Sequence, residues 1–186
     1  NPITGALIGS NVDIDLTNDQ HNYDKQWLAA DANRASPFAN NLYLVWSRLD
    51  GGTRVLFSRS LNQGAAWSAP QNISGPNGGA GFVWPSHVAV AANGDVYAAW
   101  HNDTCDDEDD TISVIRDGTG GLDMASGNPV QSSSFEAAVT CNVQGDGDEV
   151  PNFISWMQGS NAPYILPDPV RPGNIYVVAN DDPNDD

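Results

Sequence analysis

The sequence is poor in basic residues: 7 Lys and Arg stand against 24 Asp and Glu, and the formal net charge is −17. Nucleic acids and anionic membranes are bound by basic surfaces, so this charge argues against both classes of partner. No apolar run approaches the roughly 20 residues that cross a bilayer, and no membrane insertion is expected. Leu, Ile, Val and Phe make up only about a fifth of the chain, near the boundary with disordered proteins. The 6 Trp and 5 Tyr nevertheless fall in short apolar runs, so the pattern must decide the fold.

Helical periodicity is nearly absent as well. Short apolar runs separated by Gly, Asn and Pro turns predict an all-β chain instead. One hexad recurs three times, with Asn or Asp, an aliphatic residue, Tyr, two small or apolar residues, and then Trp or Ala, at residues 41–46, 95–100 and 174–179. A strand-like run precedes each copy, and hairpin turns at Asn93-Gly94 and at residues 171–174 join two of these pairs.

Further strands are expected after the first two copies, at residues 54–58 and 111–115, and then within 69–74 and 129–134. Four-stranded antiparallel units at this period are typical of β-propeller blades, whereas a β-sandwich would not repeat one hexad three times. The chain therefore predicts an incomplete β-propeller of about two and a half four-stranded antiparallel blades. A further protein chain, a cleaved fragment or another part of the same polypeptide would complete it.

The predicted organisation has five parts. They are a lead-in at 1–23, blade unit one at 24–74, blade unit two at 75–140, a long acidic loop at 141–162, and the first half of blade unit three at 163–186. Within the lead-in, Asn11, Asp13, Asp15 and Thr17 alternate with apolar residues, which predicts one strand of a preceding blade.

The sharpest local motif is Ser-Leu-Asn-Gln-Gly-Ala-Ala-Trp at residues 60–67. In a tight turn between third and fourth strands, Asn62 can accept bonds from backbone N–H groups, Gly64 can adopt positive φ, and Trp67 can pack back on the sheet. The motif resembles the Asp box of the bacterial neuraminidase repeat, with Ser60, Gly64 and Trp67 in their usual places and Asn62 where Asp is usual. The resemblance implies a sialidase-like β-propeller over approximately residues 24–186. It bears on fold more than on activity, because Asp boxes are turn-forming elements that also occur in proteins other than sialidases.

Propeller topology assigns the connections to two opposite ends of the sheets. The turns between strands one and two and between strands three and four share one end, and the long loops share the other, where propellers of this family carry their sites. Acidic residues concentrate in those long loops, and clustered carboxylates suit a hard cation such as Ca²⁺. The expected ligands are Asp103, Asp107, Asp109, Asp146 and Asp148. A solvated acidic rim accounts for the same charge runs equally well, so both interpretations stay open here.

The two cysteines, Cys105 and Cys141, match neither a zinc ligand set nor a haem attachment motif. The blade topology brings both to the same end of blade unit two, so we expect a disulfide between them, with two free thiols as the alternative. Such a bridge needs an oxidising compartment. A composition with few Lys and many Asp, Asn, Gly and Ser also favours export, to the periplasm or the outside of the cell.

No catalytic set is recognisable. The sialidase resemblance implies an arginine triad, a Tyr nucleophile with a Glu base, and an Asp acid, but the Arg-Ile-Pro motif is missing. The preferred interpretation is therefore an extracellular module or subunit that binds a partner protein, a glycan or calcium through its acidic loops and is not catalytic by itself. The alternative is part of a sialidase-like glycoside hydrolase whose catalytic residues lie mostly in other blades.

Overall fold

A computed structural model describes residues 11–14, 21–75, 82–103, 110–132 and 163–179, and within them the chain is all-β. The strands are β1 (Tyr23–Ala30), β2 (Leu42–Arg48), β3 (Arg54–Ser60), β4 (Gln71–Asn72), β5 (Phe82–Val90), β6 (Val96–Asp103), β7 (Thr111–Asp117), β8 (Val130–Gln131), β9 (Tyr164–Pro167) and β10 (Ile175–Val178). A single turn of 3₁₀ helix lies at Met124–Ser126. In this part of the chain no helix is long and apolar enough to cross a membrane.

The strands form three antiparallel sheets in simple chain order. Sheet one has the order β1-β2-β3-β4, sheet two the order β5-β6-β7-β8, and sheet three is the pair β9-β10. Each of the ten strand-like runs expected from the sequence contains a strand, and the all-β prediction is confirmed. The expected lead-in strand is not: residues 11–14 have no strand, and 15–17 lie outside the described residues. The lead-in strand therefore stays a prediction.

The three sheets share one register. Tyr43 pairs with Ala29 in sheet one, Tyr97 pairs with Ala89 in sheet two, and Tyr176 pairs with Leu166 in sheet three. The recurrent hexad is therefore a structural repeat, in which each copy forms the second strand of its sheet at the same position relative to the first.

The sheets pack face to face, and β6 lies in the middle of the stack. Its alternate residues point in opposite directions, because successive side chains of a strand leave opposite faces. Val96, Ala98 and Trp100 pack with sheet one, whereas Tyr97 and Ala99 pack with Ile165 of sheet three. With both faces covered, residues 96–100 of β6 form an unbroken apolar run, as is typical of strands buried on both faces.

One end of the sheets carries the connections β1–β2, β3–β4, β5–β6, β7–β8 and β9–β10 and is called the turn end below. The other carries β2–β3 and β6–β7 and is called the loop end. At the turn end, the β1–β2 loop of sheet one reaches across to the β5–β6 turn of sheet two. Gly94 has φ +88°, and a Cβ on it would lie 2.5 Å from Ser36 Oγ and 2.9 Å from the Phe38 ring. The glycine therefore permits both the tight turn and the close contact between sheets.

Candidate functional site

Several charged and aromatic side chains lie together at the loop end, where β1 and β5 begin. A bulge between Asp24 and Trp27 interrupts the pairing of β1 with β2, and Lys25 adopts φ +53° there. Bulges redirect side chains at sheet ends. Here the Asp24 carboxylate accepts a hydrogen bond from Trp84 Nε1 at 3.2 Å, and the Lys25 ammonium lies 5.3 Å from the centre of the Trp84 ring. The bulge thus joins sheet one to sheet two through a polar and a cation–π contact.

A second group at the loop end centres on the carboxylate of Asp50 in the β2–β3 connection. His21 Nδ1 lies 2.6 Å from Asp50 Oδ2, the backbone N–H of Asn22 donates to Oδ1 at 3.0 Å, and Arg48 Nε lies 3.6 Å away. The hydrogen bond with His21 is the main cause of a lowered pKa for the Asp50 carboxyl. Because Asp50 fixes one ring nitrogen of His21, the imidazole keeps one orientation. It lies beside the Arg48 guanidinium at the rim of the loop end.

The third group lies at the base of the β6–β7 connection. His101 and Asp110 are each 1% exposed, and His101 Nε2 is 3.3 Å from Asp110 Oδ2. Asn102 of β6 accepts a hydrogen bond from Trp100 Nε1 of the same strand at 2.9 Å. It donates to Ser113 Oγ of β7 at 2.8 Å and so joins β6 to β7. The base of the expected acidic loop is therefore a buried, hydrogen-bonded anchor. His101 is part of this anchor.

Three rings pack together across the first strands of the three sheets, β1, β5 and β9, and we call Trp27, His87 and Tyr164 the ring row. They occupy one repeat position, because each lies opposite the residue two places after the hexad tyrosine: Val45, Ala99 and Val178 respectively. Ring centres are 4.3 Å apart for Trp27 and His87 and 5.5 Å apart for His87 and Tyr164. Trp27 also lies 6.1 Å from Tyr164, edge to face, so each ring contacts the other two.

Burial lowers the pKa of His87 in the middle of this row to about 4. Its Nδ1 is buried and makes no hydrogen bond to any described residue. The imidazole is therefore neutral at physiological pH and contributes an aromatic surface rather than a charge. The sequence does not reveal the ring row, since its members become equivalent only once strand register is known.

The Asp-box-like turn lies at the turn end, between β3 and β4. Ser60 Oγ donates to Asn62 Oδ1 at 3.0 Å and accepts from the Gly64 N–H at 2.8 Å, and Asn62 Oδ1 also accepts from the Ala66 N–H at 2.8 Å. Gly64 has φ +90°, and Trp67 is half-buried. Every one of these bonds lies within residues 60–66, so the turn is stabilised by its own residues.

Buried aspartates at the turn end escaped the sequence analysis. They are Asp31, Asp95, Asp117 and Asp168, exposed by 2%, 5%, 6% and 6%. Asp168 accepts from the backbone N–H groups of Val170 and Arg171, which lower the pKa of its carboxyl, and Arg171 Nε lies 2.7 Å away. Asp95 similarly lies 2.8 Å from Arg116 and raises the pKa of that guanidinium. These carboxylates fix turns, so part of the acidic content is structural.

Most residues of the expected calcium site and disulfide lie outside the described residues. These are Asp107, Asp109, Asp146, Asp148, Cys105 and Cys141. Asp103 is in β6, where its backbone pairs with Phe82. Across the described ranges no group of three or more His, Cys, Asp or Glu side chains is arranged to hold a metal ion.

No protein-family model matches the chain, and no curated protein is significantly similar to it.

Proposed function

We propose that this chain is part of an extracellular β-propeller, built from sialidase-type repeats, that binds a ligand at its loop end and is not catalytic by itself. The observation that carries the proposal is the shared register of the three sheets, in which Tyr43, Tyr97 and Tyr176 occupy one position. Antiparallel sheets in simple chain order, stacked face to face, are the arrangement of propeller blades. The self-contained turn around Ser60 and Asn62 supports the same assignment.

The loop end is the preferred binding region for two reasons. It holds the rigid base of the β6–β7 connection, anchored by Asn102 and the buried His101–Asp110 pair. It also holds the oriented His21 beside Asp50. The turn-end carboxylates, by contrast, are already committed to backbone N–H groups and guanidinium groups.

Calcium is the proposed ligand of the acidic loops, and a glycan or partner protein is expected at the same end. The expected ligands remain Asp103, Asp107, Asp109, Asp146 and Asp148. Clustered carboxylates can supply the six to eight oxygens that Ca²⁺ takes. The rigid base at Asn102 favours such a site, because less chain must be ordered when the ion binds.

Thermal unfolding in Ca²⁺ and in chelator tests this part. Excess Ca²⁺ should raise Tm and chelator should lower it, and an Asp107→Asn, Asp109→Asn double variant should lose the response. Asp123→Asn, an exposed aspartate at the turn end, is the matched control and should respond as the parent does. If neither Ca²⁺ nor chelator changes Tm, the calcium site is contradicted and the acidic loops are a solvated rim.

Activity measurements test the non-catalytic part of the proposal. The complete propeller assembly that contains this chain should not hydrolyse fluorogenic glycosides, with or without a sialic acid analogue. Turnover that the analogue blocks would contradict the proposal and favour the glycoside hydrolase. Export is tested by the mass of the unreduced protein after alkylation, which should show a Cys105–Cys141 bridge rather than two free thiols.

A further inference from the structure

Two arginines lie directly opposite each other at the loop end of sheet one, and we call Arg48 and Arg54 the arginine pair. Arg48 ends β2 and Arg54 begins β3, and both side chains reach the same residue of the connecting turn. Arg54 Nη2 donates to the Gly51 carbonyl at 2.9 Å, and Arg48 Nη2 lies 3.4 Å from where a Cβ on Gly51 would be. Like charges directly opposite on neighbouring strands are unfavourable, so the arginine pair needs a counter-charge.

Asp50 is the one carboxylate of the described chain that forms an ion pair with either arginine, and it is already engaged elsewhere. Its Oδ2 lies 2.6 Å from His21 Nδ1, and its Oδ1 accepts from the Asn22 N–H at 3.0 Å. Arg48 Nε stays 3.6 Å from Oδ1, and this buried nitrogen makes no hydrogen bond to any residue that the structure describes. A single carboxylate therefore faces two guanidinium groups and an imidazole.

Two arginines at the turn end are neutralised differently. Arg116 Nη2 lies 2.8 Å from Asp95 and Arg171 Nε lies 2.7 Å from Asp168, so each contacts a buried carboxylate of its own at hydrogen-bond distance. The chain has 24 Asp and Glu for 7 Lys and Arg, so carboxylates are in ample supply. The incomplete neutralisation of the arginine pair is therefore a local property of this site.

Small solutes can reach the arginine pair. The side chains of Arg48 and Asp50 are 22% and 35% exposed, and the turn residues Gly51 and Gly52 are exposed. Among the described residues, the Arg54 guanidinium donates to the carbonyls of these two glycines. A guanidinium has five N–H groups, so Arg54 keeps donors for a ligand.

We infer that the arginine pair binds a tetrahedral oxyanion, either a free phosphate or sulfate ion or the sulfate ester of a glycan. Guanidinium groups form charge-assisted, often bidentate hydrogen bonds to such groups. A phosphate or sulfate group presents at least three acceptor oxygens and can bond two guanidinium groups at once, whereas a single guanidinium satisfies both oxygens of a carboxylate. The net charge of −17 repels anions at long range, but at 0.15 M salt the Debye length is about 8 Å, so nearby charges dominate.

Titration with sodium sulfate or sodium phosphate at constant ionic strength and without Ca²⁺ tests the inference, followed by ¹H–¹⁵N NMR of the arginine side chains. The Nε–H signals of Arg48 and Arg54 should shift and saturate, and that of Arg34, exposed at the turn end, should not. Acetate should bind about tenfold more weakly or less. A sulfated monosaccharide that binds more tightly than inorganic sulfate would support a glycan ester as the ligand, and equal affinity would support the free ion.

Two pairs of charge-matched variants separate the site from the net charge. Arg54→Gln and Arg34→Gln each remove one positive charge, but only Arg54→Gln should weaken sulfate binding, by about tenfold, because it removes charge-assisted hydrogen bonds. Asp50→Asn and Asp123→Asn each remove one negative charge, but only Asp50→Asn should tighten binding, by about fivefold, because it removes a repulsive neighbour.

Near-ultraviolet circular dichroism of each variant should match the parent and so establish that all four are folded. Arginine signals that saturate with neither anion would overturn the inference, and so would equal sulfate affinities of Arg54→Gln and Arg34→Gln. The proposed calcium ligands include none of these residues, so the two proposals fail separately.

Discussion

Sheets one and three present the same surface of the repeat under opposite conditions. In sheet one, Tyr43 and Val45 are fully buried against sheet two, whereas in sheet three Tyr176 and Val178 stand 48% and 64% exposed. The local sequences that produce these surfaces are closely similar, with Tyr followed by two apolar residues in both. Burial here is therefore a property of the neighbouring sheet and not of the strand. A matched substitution in each sheet can measure the neighbour's contribution directly.

The largest expected difference comes from the hexad tyrosine. Tyr43→Ala should destabilise the fold by about 3–5 kcal/mol, because it removes a fully buried ring and leaves a cavity. Tyr176→Ala should cost about 1 kcal/mol, since it loses a half-exposed ring and a hydrogen bond to Asp168. Urea unfolding at concentrations where the chain is monomeric would measure both. Equal losses would mean that sheet three is already covered in solution.

A smaller difference is expected between two turn glycines. Gly94 and Gly173 have φ +88° and +89°, so alanine at either should cost about 1–2 kcal/mol in backbone strain. Only at Gly94 would the added Cβ meet Ser36 and Phe38, whereas nothing lies within 4 Å at Gly173. That contact should add about 1–3 kcal/mol to the cost of Gly94→Ala. If the two variants unfold at the same denaturant concentration, the β1–β2 loop does not pack against the β5–β6 turn of sheet two as described.

The smallest expected effect is a loss of folding stability as the pH falls. The pKa of His87 is about 4 when folded and is expected near 6.5 when unfolded, so the unfolded chain takes up the proton first as pH falls. Stability is therefore complete above pH 6.5 and declines between 6.5 and 4. The carboxyl groups of Asp50 and Asp168, whose pKa values are lowered, act only below their ordinary 3.8. Tm measured from pH 7 to pH 5 should fall by a few degrees, and His87→Phe, which keeps a ring beside Trp27, should flatten that slope. An unchanged slope in the variant would exclude His87 as the cause.

The sequence predicted the positions of the strands better than the residues at which they begin and end. Alternating apolar residues and Gly-containing turns are local signals, so each of the ten runs expected in the blade units contains a strand. The fourth strands are only Gln71–Asn72 and Val130–Gln131, which lie within the ranges 69–74 and 129–134 expected for them. β1 begins at Tyr23, earlier than expected, because a bulge accommodates the polar residues Lys25 and Gln26.

Features that depend on contacts between sheets were beyond the reach of local signals. The ring row joins residues that are 60 or more positions apart and of three different types, so no periodic pattern marks it. The buried aspartates read as ordinary turn residues, because Asp31 and Asp95 reveal their roles only through Ser36 and Arg116. The recurring hexad did predict one long-range property, namely that the same strand unit recurs in successive sheets.

The position of β6 has a consequence for how the chain opens. Both faces of β6 are covered, and both of its edges are paired, to β5 and to β7. Its amide hydrogens can meet solvent only when sheets one, two and three separate together. Those amides should therefore be the last in the described chain to exchange with deuterium, and their rate should report the opening of the whole stack. The amides of β10, which pairs with β9 alone, should exchange early and by local fraying.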